Sequence, residues 1–119
     1  MKVSDILKSG DFSVICEGDP GLDVEGVFCC DLLSVAMGKG QAGFAWVTVM
    51  GNINTLAVLH LTDMSCIILA EGAALDDDAK AKAAQLGITV LGSTEPIFES
   101  ALKIHGMLYP APDTDSPAV

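Results

Sequence analysis

From Phe44 onward the residue pattern alternates strand, helix, strand, helix, strand, helix, and few folds satisfy that order. Phe44 to Met50 is rich in β-branched and aromatic residues and reads as a strand. Gly51-Asn52 breaks it, and Asn52 or Asn54 caps an apolar helix from Thr55 to about Leu61. Ser65 to Ala70 is an uninterrupted apolar run between Asp63 and Gly72, the signature of a strand buried on both faces. Asp76 to Leu86 is a helix ended by Gly87, Ile88 to Leu91 a second buried strand, and Thr94 to His105 a last helix with Pro96 in its first turn. Such alternation requires crossovers, and crossovers give a parallel sheet covered by helices on both faces.

Before Phe44 the pattern is shorter and less regular. Val3 to Ser9 reads as a helix stopped by Gly10, Phe12 to Cys16 and Val24 to Cys29 as strands, and Asp31 as the cap of a helix running to Met37. The first two strands are expected as an added flank or edge. Thus the predicted fold is α/β, with a mostly parallel sheet of about five strands. Met107 to Val119 carries Pro110, Pro112 and Pro117 and is expected to be a flexible Pro-rich tail, 107–119, after a domain spanning 1–106.

Charge narrows the partners. The 119 residues include 16 Asp and Glu against 6 Lys, with no arginine, for a net charge of −10. An acidic protein of this kind has no basic face for nucleic acid, and an anionic membrane repels it. The two-pronged guanidinium clamp on phosphate is missing as well. No apolar run approaches a membrane span. The start, MKVSDILKSGD, is too polar for a signal peptide, so a cytoplasmic protein with reduced thiols is expected.

Catalytic motifs are sparse. Gly38-Lys39-Gly40-Gln41-Ala42-Gly43 matches G-x-G-x-x-G but follows a helix and precedes a strand, the reverse of a dinucleotide cradle. It is more simply a helix-to-strand connection. No phosphate-binding P-loop, G-x-S-x-G or H-E-x-x-H occurs. Asp76-Asp77-Asp78 is explained by a helix N-terminus, and calcium-loop spacing is absent. His60 and His105 stand alone. No cofactor, metal or catalytic residue is expected, and the chain is read as not an enzyme. The alternative is a small thiol-based redox protein or enzyme using Cys29 or Cys30, which follow one another and so point to opposite sides of a strand.

The polar breaks after the three strands supply the candidate site. In open α/β sheets ligands bind beyond the carboxyl ends of the strands. Gly51, Asn52, Asn54, Glu71, Gly72, Ser93 and Thr94 are therefore the expected ligand-binding residues. Ordinary capped turns would use the same residue types. Glu71 is the set's one charged group, so an adenine or ribose moiety suits it better than a bare triphosphate.

The segments WVTVMGNINTLAVLHLTDMSCIILAEG and GITVLGSTEPIFESALKI, with VFCCDLLSVAMGKG upstream, resemble the DRTGG domain over Met1 to Gly106. The Asp-Arg pair of the family name aligns with Asn52-Ile53, and its later Thr-Gly-Gly with Ala70-Glu71-Gly72. Only the glycines keep their places, so a phosphate role that relies on the arginine is not carried over. The resemblance implies a three-layer α/β/α domain similar to the N-terminal domain of HPr kinase/phosphorylase. It also implies a non-catalytic regulatory, ligand-binding and dimerising module, without the kinase part. Stand-alone relatives accompany iron-hydrogenase and redox-signalling components. A homodimer, a nucleotide-like ligand and an unidentified protein partner are the expected associations.

Overall fold

A computed structural model describes residues 1–110. Ten elements follow one another: α1 (Val3–Ser9), β1 (Ser13–Cys16), β2 (Gly26–Cys29), α2 (Leu33–Lys39), β3 (Phe44–Thr48), α3 (Ile53–Thr62), β4 (Cys66–Leu69), α4 (Asp77–Leu86), β5 (Thr89–Gly92) and α5 (Ile97–Leu108). The strands form one sheet in the order β1-β5-β4-β3-β2. Strands β2 to β5 run parallel, while β1 pairs antiparallel with β5, so the sheet is mixed. The first two strands are its two edges, as the weaker early pattern suggests.

Alternation within the strands builds the layers. On β3 and β4, Trp46, Ile67 and Leu69 face one side, and Ala45, Val47, Cys66 and Ile68 the other. The first side is covered by α2, α3 and α4 through Ala36, Leu56, Leu59, Ala79 and Ala83. The second is covered by α1 and α5 through Val3, Ile6 and Ile104. All of these side chains are buried. Each large one contributes roughly 1.5–3 kcal/mol through burial. The result is a three-layer α/β/α sandwich.

The order of the strands decides where the chain changes face. From β2 to β5 each strand adds beside its predecessor, and the three helices between them lie together on one side. After β5 the chain instead crosses to the opposite side as α5. The loops leaving β4 and β5 therefore part in opposite directions. This is the topological switch point of the sheet, where a crevice is expected at the carboxyl ends.

Three expectations need correction. Asp31 does not cap α2, whose N-cap residue is Leu32 without a side-chain bond. The Asp31 carboxylate instead accepts from Thr48 Oγ1 at 2.7 Å and from the Val49 N–H at 3.0 Å. Those donors at the end of β3 draw the carboxylate away from the helix. The last helix begins at Ile97, with Pro96 as its N-cap, and continues to Leu108. Met107 and Leu108, expected in the tail, pack on the core beside Ile104. The remainder of the expected tail, 111–119, lies outside the described residues.

Candidate functional site

At the switch point lies a cleft of about 310 Å³, lined by Asp11, Ser13, Ile15, Gly72, Ala73, Gly92, Ser93, Thr94, Glu95 and Lys103. Its two lips are the β4–α4 and β5–α5 loops. They are tied together below the opening: Glu71 N–H donates to the Glu95 carbonyl and Gly72 N–H to the Ser93 carbonyl, both at 2.8 Å. Glu71 and Gly72 both have positive φ, 59° and 67°, which turns the backbone sharply away from the sheet.

Hydroxyls hold the second lip. Ser100 Oγ, fully buried on α5, donates to Ser93 Oγ at 2.8 Å. The Glu95 N–H also donates to Ser93 Oγ, at 3.1 Å. Ser100 Oγ is also 3.2 Å from the Glu95 carbonyl, so its single proton is shared between the two acceptors and the Ser93 hydroxyl is held within this network. The flank is supplied by β1, where Ser13 Oγ donates to the Gly92 carbonyl at 3.3 Å. Lys103 on α5 pairs with Glu95 at 3.2 Å. Of the charged lining, two carboxylates face one ammonium.

The seven residues expected from the sequence do not share one cleft. Gly72, Ser93 and Thr94 line it. Gly51 and Asn52 lie after β3, whose loop turns to the same side as that of β4, and neither lines the cleft. Gly51 is packed against the β4–α4 loop: a Cβ there would run into the Ala74 carbonyl oxygen, and the Gly51 carbonyl accepts from the Asp76 N–H at 2.8 Å. Asn52 caps α3, its side chain accepting from the Thr55 N–H at 3.1 Å. Asn54 is exposed in the first turn of α3, and Glu71 is exposed beside the lip without lining the cleft.

Asp11, Ser13, Ile15, Glu95 and Lys103 are lining residues that the strand-end rule misses. An antiparallel edge strand begins where its parallel neighbour ends, so β1 brings Asp11 and Ser13 to the same edge. The four residues of β1 are too short and unpatterned to reveal β5 as their partner.

The cysteines are set apart from this cleft. Cys29 lies on the edge strand β2 with its thiol partly shielded from water, and that partial desolvation, with the Asp31 carboxylate and Cys30 adding to it, pushes the thiol above the usual range. Cys30 Sγ donates to the Leu32 carbonyl at 3.3 Å. Cys66 is buried and its thiol is pushed up to about 12 by desolvation. Among the described residues there is no group of three or more His, Cys, Asp or Glu placed to hold a metal ion. Nor is any helix among them long and apolar enough to cross a membrane.

Two further clefts are of similar size. One, of about 310 Å³, lies at the opposite edge of the sheet beside His60 and Asp63. The other, of about 340 Å³, is an apolar groove between β2 and α5 formed by Val27, Cys29, Phe98, Ala101, Leu102 and His105.

No family model matches the sequence, and no curated protein sequence does. Among solved structures the chain is similar to the CBS and DRTGG domains of the regulatory region of Clostridium perfringens pyrophosphatase, complexed with its activator diadenosine tetraphosphate. The TM-score is 0.61 at 15% sequence identity, over 84% of this chain and 43% of that one. The chain thus spans less than half of the structure it matches. What this likeness shows is a shared fold, that of part of a CBS and DRTGG regulatory region, in keeping with the resemblance carried by the sequence segments around Trp46 and Ile88.

Proposed function

We propose that this chain is a non-catalytic regulatory module that binds a small nucleotide-like molecule in the switch-point cleft and acts as a homodimer. The observation that carries the reading is the cleft itself. It opens where the loops after β4 and β5 part, and it presents hydroxyls from Ser13, Ser93 and Thr94 on a rigid sheet edge. The structurally similar pyrophosphatase region binds a nucleotide activator, which supports a ligand of that class here. The apolar β2–α5 groove supports association between copies, since it has no carboxylate in a chain of net charge −10. A cytoplasmic setting suits the free cysteines, and a link to redox or hydrogenase-associated signalling, through an unidentified partner, is what the family resemblance implies.

The thiol alternative gains nothing from the geometry. A reactive cysteine needs a lowered thiol pKa, and that of Cys29 is raised.

A ligand that binds only the folded chain raises its melting temperature. We expect adenosine or an adenine nucleotide to do so. Thr94 is exposed on the lip, so Thr94→Tyr obstructs the cleft without entering the core and should abolish the shift. If no adenine compound moves the transition at millimolar concentration, the binding reading is wrong.

A further inference from the structure

The cleft's charge and size carry a further step, which rests on the binding reading above. We infer that the cleft selects an uncharged ligand the size of one nucleoside and rejects polyphosphates, with Asp11 and Glu95 as the residues that set this preference.

Size comes first. At about 310 Å³ the cleft stands at the lower end of the roughly 300–1,000 Å³ typical of small-molecule sites. One nucleoside fills such a space. Two nucleosides joined by a phosphate chain do not fit within it.

Charge decides the rest. Asp11 and Glu95 give the lining two negative charges, and Lys103 gives one positive. That lysine is paired with Glu95 at 3.2 Å, so its charge is already partly balanced when a phosphate arrives. Glu71, exposed beside the lip, adds to the negative potential. No arginine exists in the chain to offset it. A triphosphate brings several negative charges into this field, and like charges oppose its binding, the more so at low salt.

Hydrogen bonding favours the neutral alternative. Asp11 and Glu95 offer acceptors for ligand hydroxyl or amino groups. Ser93 brings a hydroxyl to the lining, a group able to donate or accept. Thr94 adds a second hydroxyl at the lip. A ribose with a heterocyclic base both donates and accepts, and it needs no cation.

The test is calorimetric titration of the full chain with adenosine, adenosine triphosphate and diadenosine tetraphosphate at two salt concentrations. Adenosine should bind at least about tenfold more tightly than either polyphosphate, and the gap should narrow as salt screens the carboxylates. The double variant Asp11→Asn, Glu95→Gln turns the lining from one net negative charge to one net positive and frees Lys103. It should improve triphosphate binding at least about tenfold relative to adenosine. Asp11 is exposed and makes no ion pair among the described residues, so Asp11→Asn alone keeps the fold and should move the ratio in the same direction. Polyphosphates binding the unaltered chain as tightly as adenosine would overturn the selectivity and leave the binding reading standing. A ratio unmoved by the variants would overturn the role of the two carboxylates. Absence of binding by all three compounds would overturn the binding reading and this inference with it.

Discussion

Cys66 shows how one residue can report on the whole core. It lies on β4, fully buried in the cluster that α5 covers, and loss of contact with water makes the ionised thiolate costly there. Its thiol is pushed from an ordinary value of 9.0 up to about 12. In the unfolded chain the thiol ionises near the lower value. Between the two values the folded state therefore holds a proton that the unfolded state has released. Stability from this residue is complete below pH 9 and declines as pH rises towards 12. Urea midpoints at pH 8 and pH 10.5 should show a loss that Cys66→Ala reduces, after allowance for that variant's lower starting stability. An equal decline in both proteins would mean that other groups dominate. That Cys66 is a small core residue is legible from its apolar neighbours Ile67, Ile68 and Leu69. The distinct environments of Cys29 and Cys30 depend on which face of β2 meets α5, which is tertiary information.

At the scale of elements, short polar residues were easier to find than to assign. Asn52 and Asp31 both precede helices and both have cap-forming side chains. Asn52 caps α3, while Asp31 bonds instead across to the end of β3. Thr48 is fully buried, so its hydroxyl proton needs an acceptor, and Asp31 is the one in reach. Removing that acceptor by Asp31→Ala leaves both the Thr48 hydroxyl and the Val49 N–H without it. The expected loss is about 1–3 kcal/mol, read by urea unfolding. Asp31→Asn retains an acceptor oxygen and should recover a good part of it. A change below about 0.5 kcal/mol in the alanine variant would show that water replaces the carboxylate at no cost. The strands β3, β4 and β5 were legible because burial on both faces leaves no polar interruption. The end of α5 was not, since Pro110 and Pro112 suggest a tail, while the anchoring of Met107 and Leu108 comes from the core beneath.

The whole molecule sets the position of the cleft and the terms of self-association. Sequence periodicity identifies three strand ends as equivalent, but the sheet order makes them unequal. Helices α3 and α4 share a face, so the loops of Gly51 and Gly72 pack together. The departure of α5 to the other face opens the cleft beside β5, and Ser93 and Thr94 line it while Asn54 does not. On that same second face, α5 exposes large apolar side chains beside β2. Phe98 is 68% exposed and Leu102 is 53% exposed, beside Val27 and Cys29 of the edge strand β2. Two copies each carrying a net charge of −10 repel one another, so contact is least opposed where the surface has no carboxylate. The proposed dimer should accordingly tighten with added salt, as screening shortens the reach of that repulsion to about 10 Å at 0.1 M. Light scattering at increasing protein concentration checks this, with the dimer fraction expected to rise from low to moderate salt. Phe98→Glu places a charge in the groove on each copy and should give a monomer. Because Phe98 is largely exposed, the monomer's own stability should change by no more than about 0.5 kcal/mol. A wild-type chain that stays monomeric at every salt concentration removes the dimer. A dimer that persists in Phe98→Glu places the interface on another face, and an edge-to-edge contact through β1 would then be the surface to alter next.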